Sequence, residues 1–178
     1  MRIVSGKYRG RTLLAFDGDK IRPTADKVRE SLFNILQMKI TNSKFLDLFC
    51  GTGAMGIEAL SRGAEKVVFN DLSRESLTLL KKNLEKIKVE DDYEILNFDA
   101  VNLLKNTSKK FDIIFLDPPY KTELGLKSLP FVSSVLEDDG IAVLEDEKEW
   151  SGEIEGLVSY DKRKYGRVHL TFFKKENK

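Results

Sequence analysis

The chain has 178 residues, 41% hydrophobic and 33% charged, with a formal net charge of +1, the make-up of a globular domain able to bury a core unaided. A single cysteine, Cys50, excludes an internal disulfide framework, and a single histidine, His169, leaves no Cys- or His-rich metal constellation, so no metal is expected. No apolar run approaches the ~20 residues of a membrane-spanning helix, and Met1–Gly6 lacks the apolar stretch of a secretion signal, so the expectation is a cytoplasmic protein with no membrane partner.

In chain order, residues 2–5 and 11–16 are β-prone runs around the Gly6–Gly10 segment and read as a hairpin. Pro23-Thr24 opens a helix over about 25–40, with Val28, Leu32, Ile35 and Leu36 at helical spacing and Thr24 as its N-cap. From residue 44 strands and helices alternate. Phe45–Phe49 is a strand, followed by a glycine turn and a helix over 54–62. Lys66–Asp71 is the second strand, and Ser73 caps a helix running to Ile87. Tyr93–Phe98 is the third strand, followed by a helical segment over 100–106. Phe111–Leu116 is the fourth, apolar as a central parallel strand should be. A helix over 122–136 and a fifth strand at Gly140–Glu145 complete the alternation. Runs at 157–161 and 167–173 around Tyr165-Gly166 read as a closing hairpin. The pattern predicts a doubly wound, Rossmann-like α/β fold: a seven-stranded, mostly parallel sheet ending in an antiparallel hairpin. The division expected is a hairpin-and-helix extension at 1–43 and a catalytic domain at 44–178.

Charge is distributed unevenly along this order. Residues 1–44 hold ten basic against four acidic side chains and 157–178 hold seven against two, whereas the middle of the chain is acidic. Two basic ends around an acidic centre suit a phosphate backbone, or are simply solvated surface.

The first strand runs into Asp47-Leu48-Phe49-Cys50-Gly51-Thr52-Gly53-Ala54-Met55-Gly56. Glycines let backbone approach a ligand, and the following helix offers it a positive N-terminal end. Gly51-x-Gly53-x-x-Gly56 also fits a dinucleotide fingerprint. Asp47 separates the two readings, because a carboxylate four residues before the first glycine suits the ammonium and sulfonium charges of S-adenosylmethionine. Asp71, twenty residues after Gly51, can accept hydrogen bonds from ribose hydroxyls, and Asp99-Ala100 places a carboxylate near the adenine; either acid could instead cap a helix. Phe49 and Leu72, beside these acids on the same strand ends, complete the expected cofactor set with Gly51, Gly53 and Ala100. Cys50 reads as a small filler.

The fourth strand ends in Asp117-Pro118-Pro119-Tyr120. The exocyclic amine of a base is a poor nucleophile because its lone pair is delocalised into the ring. Asp117 and the Pro118 carbonyl can accept its two N–H bonds and turn the lone pair toward a methyl donor, while Tyr120 stacks on the base. A Pro-Pro turn can also be mere punctuation.

Arg2–Gly6, Arg9-Gly10-Arg11, Arg22-Pro23-Thr24, Val28–Asn34, Leu46–Gly63 and Asp117–Tyr120 together resemble the RsmD-type family of small-subunit ribosomal RNA guanine-N2 methyltransferases, over essentially the whole chain. The resemblance implies a class I S-adenosylmethionine-dependent methyltransferase domain acting on one guanine in 16S RNA, within the small subunit or an assembly intermediate. It implies that Asp47, Gly51 and Gly53 line the methionine part of the cofactor, Asp71 the ribose and Asp99 the adenine, and that Asp117 and Tyr120 hold the base. Arg22 and Thr24 would lie near the pocket mouth. Arg9, Arg11, Lys164 and Arg167 are the other expected RNA contacts, though Lys162–Arg167 reads equally as an exposed hairpin tip. The family often has Glu at the ribose position, and Asp71 departs from this while keeping the carboxylate. A monomer is expected. The rival readings are a DNA adenine- or cytosine-N-methyltransferase, for whose target-recognition region the chain has little room; a nicotinamide-dependent oxidoreductase, which explains neither Asp47 nor Asp117–Tyr120; and a noncatalytic RNA-binding module.

Overall fold

The computed structural model describes residues 1–16, 23–120 and 122–176, with the backbone alone at 23–25. Seven strands form one sheet in the order β3-β2-β1-β4-β5-β7-β6. They are β1 (Lys44–Asp47), β2 (Lys66–Asn70), β3 (Asp92–Leu96), β4 (Phe111–Leu116), β5 (Leu136–Asp146), β6 (Leu157–Tyr165) and β7 (Val168–Lys175). The first five run parallel, and β7 joins β5 antiparallel in register Leu144↔Thr171 and Glu145↔Leu170. The chain order reverses beside β1, so the carboxyl ends of β1 and β4 open a crevice between them, where doubly wound sheets bind ligands.

The helices are α1 (Pro23–Ile35), α2 (Gln37–Ile40), α3 (Ala54–Ser61), α4 (Arg74–Ile87), α5 (Ala100–Asn106) and α6 (Leu124–Val135). Side chains alternate across the sheet with the period of two that strands impose. Phe45, Val67, Phe69, Ile113, Phe115 and Val143 face α1, α3 and α4, whereas Leu46, Val68, Ile114, Leu116, Ala142 and Leu144 face α5 and α6. Ile3, Tyr8 and Leu13 belong to the first of these cores, so the N-terminal segment shares its interior with the rest of the chain.

Three expectations change. The single helix over 25–40 is two helices that meet at Leu36, where ψ relaxes to −2°. The first of them already includes Pro23, a residue suited to a helix's first position, so Thr24 lies inside the helix and its backbone is not that of an N-cap. β5 begins at Leu136 rather than Gly140; its register with β4 jumps from Phe111↔Leu136 to Ile113↔Ile141, so the charged stretch Glu137-Asp138-Asp139 is an irregularity inside a strand and carries no strand pattern of its own. Ser73 does cap α4, accepting the Ser76 N–H at 3.2 Å. Among the described residues, no helix is long and apolar enough to cross a membrane.

Candidate active site

β1 ends at Asp47, which is 1% exposed and accepts the Gly56 N–H of α3 at 3.0 Å. That bond fixes one carboxylate oxygen against the first turn of the helix. Burial pushes the Asp47 carboxyl up to about 7, aided by the charges of Asp117 and Asp71 and opposed by the Gly56 N–H. Gly51 turns the chain at φ 51° and donates its N–H to Asp71 at 2.9 Å; the other Asp71 oxygen accepts from Ser73 at 2.8 Å. Asp71 thus braces the glycine loop and the start of α4 with the carboxylate that also faces the crevice. Asp99 caps α5 through the Asn102 N–H at 2.9 Å, so its capping reading is realised while it still lines the crevice.

Two cavities occupy the carboxyl end of the sheet. The first, about 590 Å³, is lined by Phe49, Gly51, Asp71, Leu72, Asp99 and Ala100 from the expected cofactor set, and by Asp117, Pro118 and Tyr120. Its wall is largely apolar, with Phe98 and Leu72 exposed beside the two acids. The second, about 550 Å³, contains Asp47, Asp117, Tyr120, Arg167 of the β6–β7 tip and Arg29 of α1. Phe49, Gly51, Asp117 and Tyr120 line both, so the glycine turn and the acidic-aromatic turn form a common wall.

The Asp117 carboxyl is pushed up to about 7 by burial and by the charge of Asp146. The Pro119 carbonyl accepts from Thr122 N–H at 3.3 Å and Oγ1 at 2.7 Å, which pins the turn. Gly125 lets α6 approach it closely: a Cβ there would stand 3.0 Å from Pro118. Burial also raises the Cys50 thiol far out of the nucleophilic range, in keeping with a filler.

Not every expected residue reaches the site. Gly53 lines neither cavity; its φ is 81°, its N–H bonds the Cys50 carbonyl at 2.7 Å, and a Cβ would stand 2.2 Å from Leu80, so it serves the loop's packing against α4. Arg11 is turned away: its guanidinium lies over the Tyr8 ring and donates to the Ile87 carbonyl at the end of α4. Arg9 is exposed, outside both cavities. Lys164 is exposed in the small cleft with Glu149 and His169, on a different part of the hairpin from Arg167. Arg22 lies outside the described residues, and of Thr24 only the backbone is described.

The sequence reading missed Asn70, Phe98, Arg29 and Glu145. Asn70 is buried and ties three strand ends, donating to the Leu48 and Phe98 carbonyls at 3.1 Å and accepting from the Phe98 N–H at 3.1 Å. An asparagine ending an apolar strand, Val67-Val68-Phe69-Asn70, was its available signal.

Sheet order, glycine turn and acidic strand ends define a class I methyltransferase whose cofactor is S-adenosylmethionine, and the donor set fits that cofactor: Asp71 and Asp99 beside an apolar slot in the first cavity for the ribose and adenine, and Asp47 in the adjoining second cavity for the ammonium. The chain belongs to the RsmD-type family, whose model, described as "Conserved hypothetical protein 95", matches residues 1–174. A Haemophilus influenzae protein named Ribosomal RNA small subunit methyltransferase D is 37% identical over 84% of this chain and 80% of its own length. The Escherichia coli protein of that name is 38% identical over 79% of this chain and 68% of its own. A solved E. coli structure, described as a candidate methyltransferase, yhhF, superposes with a TM-score of 0.88 at 32% identity, covering 99% of this chain and 98% of that one. Membership removes the oxidoreductase reading of the glycine loop.

Proposed function

We propose that the protein methylates the exocyclic N2 of a guanine in 16S ribosomal RNA, acting as a cytoplasmic monomer on the small subunit or an assembly intermediate. The names of its relatives support the RNA class. The observation that carries the reaction is the wall shared by the two cavities, in which the glycine turn at Gly51 and the acidic-aromatic turn of Asp117 and Tyr120 each face both.

The cofactor supplies an electrophilic methyl group on a sulfonium. Asp71 would hold its ribose, Asp99, Leu72 and Ala100 the adenosine end, and Asp47, Phe49 and Gly51 the methionine end. Asp117 and the Pro118 carbonyl accept hydrogen bonds from the two N–H groups of the amine and turn its lone pair toward the methyl group, and the proton that the methylated nitrogen must lose passes to the Asp117 carboxylate. Tyr120 stacks on the base, which has to leave any helical stack to enter. Positioning and electrostatics account for the acceleration. Arg9, Arg22, Thr24, Lys164 and Arg167 are the proposed RNA contacts, with Arg167 at the second cavity, the acceptor cavity in which the base would sit; residues 1–43 act as the RNA-contacting extension of the 44–178 catalytic domain.

The test is incubation with labelled S-adenosylmethionine and small subunits lacking the modification, followed by mass mapping of the RNA. One N2-methylguanosine is expected. Label on an adenine or cytosine amine, or on DNA, would overturn the reading.

A further inference from the structure

We propose that Glu145 reads the base, accepting the ring N1–H of the target guanine while Asp117 accepts an N–H of the adjacent N2 amine. This rests on the guanine-N2 reading above and adds a specificity-determining residue to it.

The strand register makes the pair. β4 and β5 run parallel through Leu116↔Leu144, so the next residues, Asp117 and Glu145, leave the sheet side by side, with neighbouring strands about 4.8 Å apart. The period of two puts both on the face of Phe115 and Val143, toward the acceptor cavity. β4 stops at the Pro-Pro turn, but β5 continues because β7 pairs with it at Glu145↔Leu170 and Asp146↔His169. Glu145 therefore projects from hydrogen-bonded strand rather than from a loop.

Neither carboxylate makes a hydrogen bond or ion pair with another described residue. Burial and the Asp117 charge raise the Glu145 carboxyl well above its usual range. Half-buried carboxylates at a cavity wall without donors are costly, and a ligand that brings donors relieves the cost. The other charged groups on residues lining the cavity are the Met1 α-ammonium, Asp47 of β1, Arg29 of α1 and Arg167 of the β6–β7 tip. A positively charged cofactor and two N–H donors favour the ionised pair. Guanine alone among the RNA bases presents a ring N–H directly beside an exocyclic amine, matching two carboxylates on adjacent strands. Adenine would turn a ring-nitrogen lone pair toward Glu145.

The experiment uses the full chain and small subunits reconstituted with 16S RNA carrying guanine or 2-aminopurine at the mapped nucleotide. Both bases have the C2 amine, but 2-aminopurine has a lone pair at N1. The wild type should prefer guanine by about 100-fold or more in kcat/KM, since a site built for an N–H rejects an analogue lacking it. Glu145→Ala should compress that ratio to below about tenfold. Glu145→Gln, which keeps an acceptor and adds a donor, should recover part of the guanine rate and raise the 2-aminopurine rate. S-adenosylhomocysteine titration checks that the cofactor side is intact in each variant. Equal proportional losses on both bases in Glu145→Ala, or a wild type indifferent to the N1 position, would overturn the role of Glu145 while leaving the guanine reading in place. A wild type that fails on guanine itself sinks the guanine reading instead.

Discussion

The Glu58 carboxylate of α3 accepts the backbone N–H of Val4 at 2.8 Å, across 54 residues of sequence. The same fully buried side chain accepts from Ser5 at 3.0 Å and Arg62 at 2.8 Å, and lies 3.6 Å from Arg29. Glu58 thus joins the N-terminal segment to the helix that starts at the glycine loop. Glu58→Ala leaves buried guanidinium and amide donors unmatched, and a loss of about 3–5 kcal/mol is expected. Chemical denaturation should show the midpoint falling, and limited proteolysis should show early cleavage within residues 1–16. An unchanged midpoint would mean that the carboxylate is dispensable.

Asp117→Ala should lower turnover by at least about 100-fold while changing S-adenosylhomocysteine affinity less than about threefold. The split follows from the acid's assignment to the acceptor amine. Calorimetric titration beside single-turnover methyl transfer measures both, and near-normal turnover would remove Asp117 from the reaction.

The acids predict a pH dependence of definite sign. Asp47 and Asp117 titrate at about 7 in the folded chain, against 3.8 for an ordinary aspartate. Between those values the native state holds more protons than the unfolded state, so their contribution to stability falls as pH rises and the penalty is complete above about 7. The stabilisation of the cofactor-free protein by Asp117→Asn should therefore grow from about pH 5 to about pH 8, reaching on the order of a few kcal/mol. Melting curves at stepped pH test it; an increment that shrinks with rising pH would falsify the assignment. Activity should move the other way, kcat/KM falling below about pH 7 as Asp117 takes up a proton and ceases to be a charged acceptor.

Arg9 and Arg11 should separate, although two residues apart. Arg11 packs on Tyr8 and bonds the end of α4, so Arg11→Ala should lower the melting temperature by a few degrees. Arg9→Ala should leave melting unchanged and reduce the salt slope of RNA binding, most clearly when combined with Arg167→Ala. An unaltered slope in the double variant would exclude both as phosphate contacts.

How much of this was legible in the sequence depended on how local the signal was. β4 and α5 had the expected bounds, and Ser73 capped α4, because period, cap and apolar run all lie within a few residues there. The shared wall was foreseen through Asp117 and Gly51, each adjacent to its own turn motif. Gly53 reads as a ligand residue in the sequence because a glycine spacing does not reveal whether the missing side chain makes room for a cofactor or for Leu80. Arg11 reads like Arg9 because its partner, the Ile87 carbonyl, is 76 residues away. Glu145 escaped notice for a related reason: only the pairing of β4 with β5 brings it beside Asp117.

Ile3, Tyr8 and Leu13 lie in one interior with Leu60, Leu80 and Ile87. Excising the fragment that begins at Lys44 would therefore uncover a greasy flank rather than liberate a tidy catalytic unit. Grafting another relative's first forty residues onto this scaffold to redirect it to a different transcript would also require re-cutting the flanks of α3 and α4 on which they rest.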